Sequence, residues 1–190
     1  MDYIINALIF FITILCMIRF FRKDGRWTAG KARDAFRFFT VQSNVFCAVA
    51  ALLMCIRPEM HWIWVLKYIG TAAVSVTMLT VFLFLGPTMG YGNLLKGPDF
   101  FMHLGTPLLA IFSFSVPEKR GMSFSTALLG MLPVILYGLL YMYKILFAPE
   151  EKSWEDFYGF NRGGKWPVAF AAMLTGTLIV CLALRALQNA

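Results

Sequence analysis

The chain has 190 residues, 59% of them hydrophobic and 14% charged, with a net charge of +7 and a mean hydropathy of +0.70. A soluble domain of this size carries roughly 25% charged residues, and here the deficit falls in blocks of membrane length, which excludes a soluble globular class. The positive charge requires no nucleic acid, because a basic inner face against anionic headgroups accounts for it.

Six spans are expected, at about 3–20, 36–57, 62–86, 100–116, 124–147 and 167–188. They occupy residues 1–190 as one all-α polytopic bundle with nothing left for a soluble domain. The first span follows Asp2 and precedes Arg19, Arg22, Lys23 and Arg26, the wrong polarity for a signal peptide, so it reads as uncleaved. Segments 19–37, 96 and 144–165 hold twelve of the seventeen Lys and Arg residues. The positive-inside rule makes that side cytoplasmic and puts both termini outside.

The second span opens with Thr40, Ser43, Asn44 and Cys47 on one helical face and Gln42 nearly opposite. The third begins with His61 among Trp62 and Trp64, an interfacial belt, and carries Lys67, which is expected to snorkel, as is Lys144 near the end of the fifth. The loop Thr88-Met89-Gly90-Tyr91-Gly92-Asn93 imitates a potassium-channel filter, but Pro87 precedes it and there is no room for a pore helix. The fourth span, short for a bilayer, opens with Asp99, His103, Thr106 and Pro107 on one face. Pro107, Gly130 and Pro133 are placed to kink the fourth and fifth spans. The stretch 148–166 mixes charges with Trp154, Phe157, Tyr158, Phe160 and Trp166, which suits a segment packed at the interface or a lid. Cys16, Cys47, Cys55 and Cys181 all lie inside spans without a C-x-x-C, so neither a disulfide framework nor a metal site is expected, and no cofactor motif is present.

Thr40 and His103 each lie about one turn inside the cytoplasmic boundary, roughly 5–6 Å deep at 1.5 Å per residue. A threonine hydroxyl becomes a nucleophile when a base takes its proton, and a neutral imidazole suits that role. Asp99 could orient the ring by accepting its other N–H. Ser43 or Asn44 could donate to a developing oxyanion. Arg37, at headgroup depth, could bind a carboxylate or phosphate, although the positive-inside signal also accounts for it. The plain alternative is structural: membrane threonines ordinarily bond back to the carbonyl one turn earlier, and a histidine can simply bridge helices.

The turns R-F-F-T-V-Q-S-N (residues 37–44) and D-F-F-M-H-L-G-T-P (residues 99–107), with the aromatic loop from Tyr158 to Pro167, resemble the androgen-induced membrane hydrolases, most closely their prokaryotic six-span relatives. That resemblance implies a threonine hydrolase of fatty acid esters of hydroxy fatty acids, with the catalytic Thr at Thr40 and the catalytic His at His103. The residues around the Thr differ from the animal form, and the proline after the His falls one position earlier. The expected partner is a membrane lipid, the expected location the plasma membrane, and an acyltransferase variant fits the same chemistry. A rival from another class is the substrate-capture subunit of an energy-coupling-factor transporter, which would gather its polar residues around a central or outward cavity.

Overall fold

The computed structural model describes residues 2–23 and 26–190, and nearly all of it is helical. Helix α1 covers Asp2–Phe20. A minimal antiparallel hairpin, β1 (Arg22–Lys23) and β2 (Arg26–Trp27), leads to the short α2 (Ala29–Ala35). The long helices α3 (Phe39–Ile56), α4 (His61–Met89), α5 (98–115), α6 (Phe124–Leu146) and α7 (Trp166–Asn189) follow. Among the described residues five helices, α1, α3, α4, α6 and α7, are long and apolar enough to cross a membrane.

The expected fourth span is present as α5 but is not one of these five. Asp99, His103 and Pro107 dilute its apolarity. It packs against α1, α3, α4 and α7, so protein neighbours satisfy the polar groups that lipid could not. Helix α4 is the axis of the bundle: 61% of its apolar stretch is buried, against 22% for the peripheral α7. It approaches α3 closely at Gly70, where an added Cβ would stand 2.8 Å from the Cys47 Cα, so only glycine fits.

Two helices carry a π-turn, Val81–Leu85 in α4 and Phe101–Gly105 in α5, each followed two residues later by a proline. Proline has no N–H to return to the preceding turns, so backbone carbonyls are freed there. In both helices a side chain takes up the carbonyl five residues before the proline. Tyr91 donates its hydroxyl to the Phe82 carbonyl at 2.8 Å, and Asn44 donates its amide to the Met102 carbonyl at 3.0 Å. The filter-like loop is thus a helical hairpin, turned at Gly90 (φ 83°) and pinned by Tyr91.

The two ends of the bundle are built differently. At the end where α1 and α4 meet the 116–123 connection, Lys67 does not snorkel. It is fully buried and donates to Asn6 Oδ1 at 2.5 Å and Ser113 Oγ at 3.0 Å, with Glu118 Oε1 at 3.5 Å. The reason is Glu118: itself buried, it also accepts from Asn6 Nδ2 at 2.6 Å and from Ser113, so the ammonium finds a counter-ion inside rather than at the headgroups. Trp64 closes the knot by donating its indole N–H to the Glu118 carbonyl at 2.9 Å. Lys144 does lie at the surface, over the Trp154 ring and bonded to the Lys152 carbonyl.

Candidate functional site

At the opposite end, the start of α3 is built without a polar cap. Its N-cap is Phe38, which offers no side-chain acceptor, so the first amides of the helix must find partners elsewhere. The Phe39 N–H finds one 119 residues away, the Tyr158 hydroxyl oxygen at 3.1 Å. Thr40 and Tyr137 lie on the same cavity wall as Tyr158. Tyr137 donates to the Arg37 carbonyl at 2.7 Å, and its ring packs on Phe39 at 5.1 Å between centroids.

Tyr158 is delivered by the 147–165 connection, which is clasped around Asp156. That carboxylate accepts the Tyr141 hydroxyl at 2.9 Å and the amides of Phe160 and Asn161 at 2.8 and 2.7 Å. The Tyr141 oxygen in turn accepts the Tyr158 N–H at 3.1 Å. Phe157 wedges between Phe38, Tyr141 and Tyr158. Burial pushes the Tyr158 phenol up to about 12, against the opposing pull of the donors that surround its oxygen, so it stays protonated at neutral pH.

Thr40 and these tyrosines line a cavity of about 340 Å³ between the start of α3, the end of α4, α6 and α7. Most of the lining is apolar, with Val76, Val134, Met173 and Val180 among it; the polar side chains are the hydroxyls of Thr40, Thr77, Thr80, Thr177 and the three tyrosines. Beside it, a groove of about 450 Å³ between α3, α4 and α6 shares Phe39 and Tyr137 with the cavity wall.

Thr40 shares with Thr80 and Thr106 a hydroxyl that makes no back-bond, and most other hydroxyls of the spans do make one. Thr13, Thr71, Ser75, Thr77, Thr175 and Thr177 all bond back to the carbonyl one turn earlier. Thr40 makes no such bond; its hydroxyl faces the cavity and Tyr158. His103 is buried in the π-turn of α5, with Nδ1 2.6 Å from the Leu94 carbonyl. A carbonyl only accepts, so Nδ1 carries a proton, and in the neutral ring Nε2 is the nitrogen that can accept one. Asp99 makes no hydrogen bond to the ring, and the orienting role expected of it falls to Leu94.

His103 is not among the residues that line the cavity beside Thr40, and no hydrogen bond joins the two. Asn44 ties them, donating to the Thr40 carbonyl at 2.8 Å and to the carbonyl of Met102, the residue before His103, at 3.0 Å. Both Asn44 amide hydrogens are therefore used, and the expected oxyanion donation from Asn44 has no proton to supply it. Ser43 is likewise turned away, toward the Thr40 carbonyl at 3.2 Å and Thr77 Oγ1 at 2.9 Å. Arg37 pairs with Asp34 at 3.1 Å in a half-exposed position on the surface.

Reading the helix face by face separated Ser43, Asn44 and Cys47 from Gln42, and the contacts agree: Gln42 turns outward to the Phe36 carbonyl at 2.7 Å. Tyr158 is not legible in that way, because aromatic residues in a connection between spans have the same composition whether they pack at the interface or form a lid. Its signal was the run Asp156 to Tyr158, an acidic residue and a phenol in the one long polar stretch. Compared with known proteins, the chain matches no family model, no curated protein and no solved structure.

Proposed function

We propose that this chain is an integral membrane lipid-ester hydrolase of the plasma membrane, with six crossings, both termini outside, Thr40 as nucleophile and His103 as base. The observation that carries the proposal is the Thr40 hydroxyl, set without a back-bond at the start of α3 into the wall of an apolar cavity. A cavity of about 340 Å³ suits an acyl chain. The resemblance of the two turns and the aromatic loop to androgen-induced membrane hydrolases points the same way. Fatty acid esters of hydroxy fatty acids are the first substrates to try.

The chemistry is a two-step acyl transfer. Thr40 Oγ1 attacks the ester carbonyl carbon, and its proton passes to His103 Nε2 by way of water, since no hydrogen bond joins the two side chains. The tetrahedral adduct collapses, the C–O bond to the alcohol breaks, and the leaving alkoxide takes the proton back from the imidazolium. Water, activated by the same imidazole, then releases the fatty acid from acyl-Thr40; a lipid hydroxyl in its place gives acyl transfer. The Leu94 carbonyl holds the ring tautomer throughout.

Turnover of long-chain esters by the purified protein tests the proposal. Thr40→Ala is expected to abolish hydrolysis while Thr40→Ser keeps a measurable fraction. Equal turnover by Thr40→Ala and wild type removes Thr40 from the reaction.

A further inference from the structure

If Thr40 attacks a carbonyl, something must donate to the oxygen that becomes anionic, and neither Asn44 nor Ser43 is free to do so. We propose that Tyr158 is that donor: its hydroxyl, held against Thr40 by the Asp156 clasp, hydrogen-bonds the acyl oxygen as Thr40 attacks. The inference rests on the hydrolase reading and adds a catalytic residue to it.

Four features of the geometry support Tyr158. Its hydroxyl is bonded to the amide of Phe39, the residue before Thr40, and both side chains line the same cavity wall, which brings the phenol next to the nucleophile. Its position is fixed before substrate arrives, because Asp156, Tyr141 and Phe157 lock the connection from behind; a preorganised donor costs no reorganisation at the moment of reaction. Its oxygen accepts the Phe39 N–H at the positive end of α3. As the phenol leans its proton toward an oxyanion, the negative charge gathered on its own oxygen is therefore met by an amide and a helix dipole. Finally, the groups packed around it (Tyr137 and Tyr141 from α6, Thr40 from α3 and Asp156 from its own connection) include no cation that would strip the phenol of its proton.

The step balances without further reactants. The Thr40 Oγ1–C bond forms as the carbonyl π pair moves onto the acyl oxygen, which accepts the Tyr158 hydrogen bond. When the alkoxide departs, the pair returns to the carbonyl. The proton removed from Thr40 travels by way of His103, and Tyr158 keeps its own.

The test uses the full chain in detergent and a long-chain p-nitrophenyl ester, with alkyl fluorophosphonate labelling of Thr40 as the separate check on the hydrolase reading. Tyr158→Phe is expected to lower kcat about 100- to 1,000-fold, the usual cost of removing one oxyanion donor, with KM nearly unchanged. Replacing Tyr158 by 2,3-difluorotyrosine keeps the Phe39 cap and so carries the test if Tyr158→Phe does not fold. Fluorine acidifies the phenol, so the alkaline limb of kcat, absent below about 12 for tyrosine, is expected to move down into the measurable range. A cap without a catalytic role moves no such limb. Undiminished turnover by Tyr158→Phe or an unshifted limb in the fluorinated protein, with Thr40 still labelled in wild type, overturns the donor alone. Absence of both turnover and label in wild type overturns the hydrolase reading and the donor with it.

Discussion

The two ends of this bundle solve one problem in opposite ways. Each must place polar side chains inside an apolar structure. Around Lys67, charge is matched to charge: three donors of the ammonium meet Asn6, Ser113 and Glu118, all of them buried. Around Thr40 the polar groups are neutral hydroxyls gathered on the wall of a cavity, and that of Thr40 is left without a backbone partner. A filled, paired knot holds helices together. An unfilled wall of hydroxyls leaves room for something to bind. The contrast teaches that burial of polar atoms alone does not mark a site; the space beside them does.

The contrast breaks first at its strong end. Lys67→Met leaves Glu118 as a buried carboxylate without its counter-charge and is expected to destabilise the fold by about 3–5 kcal/mol. Combining it with Glu118→Leu is expected to recover most of that loss, read as the thermal midpoint in detergent. If Lys67→Met alone unfolds no earlier than wild type, the knot is not what secures this end.

At the other end His103→Gln is expected to keep the fold and lower acylation by about 100-fold, the size of a general-base contribution. A normal rate would assign His103 to holding the 91–94 turn, which its bond to Leu94 already does. Asn44→Leu removes the strap between α3 and α5 and leaves the Met102 carbonyl without the partner that Pro107 makes necessary. The expected cost is about 1–3 kcal/mol, measured by chemical unfolding, with a parallel fall in turnover. The smallest effect is assigned to Asp99→Asn, because the imidazole is oriented by Leu94. Its turnover is expected to equal wild type, and a large fall would restore Asp99 as the orienting group.

What the sequence disclosed follows from what each feature depends on. Helices of membrane length were legible because hydropathy is a property of consecutive residues. Thr40 and His103 stood out because each breaks an apolar run one turn from its boundary. The Lys67 knot was illegible for the opposite reason: its partners lie 61, 46 and 51 residues away, and the rule that lysines snorkel considers one helix at a time. Asn44 was correctly placed on the inward face, yet its task depends on Met102, 58 residues on, and on a proline that frees that carbonyl. Tyr158 was hidden by its setting, since a phenol in a connection between spans has the same composition whether it anchors to headgroups or reaches back over a helix start.

The most direct test of the central claim is labelling of the purified protein with a fluorophosphonate bearing a long alkyl tail, followed by peptide mapping. A phosphonylated Thr40 in wild type, with labelling much slowed in His103→Gln, is the result expected of an activated threonine in an acyl-binding cavity. A folded protein that takes no label, or takes it at a residue outside the cavity wall, contradicts the account.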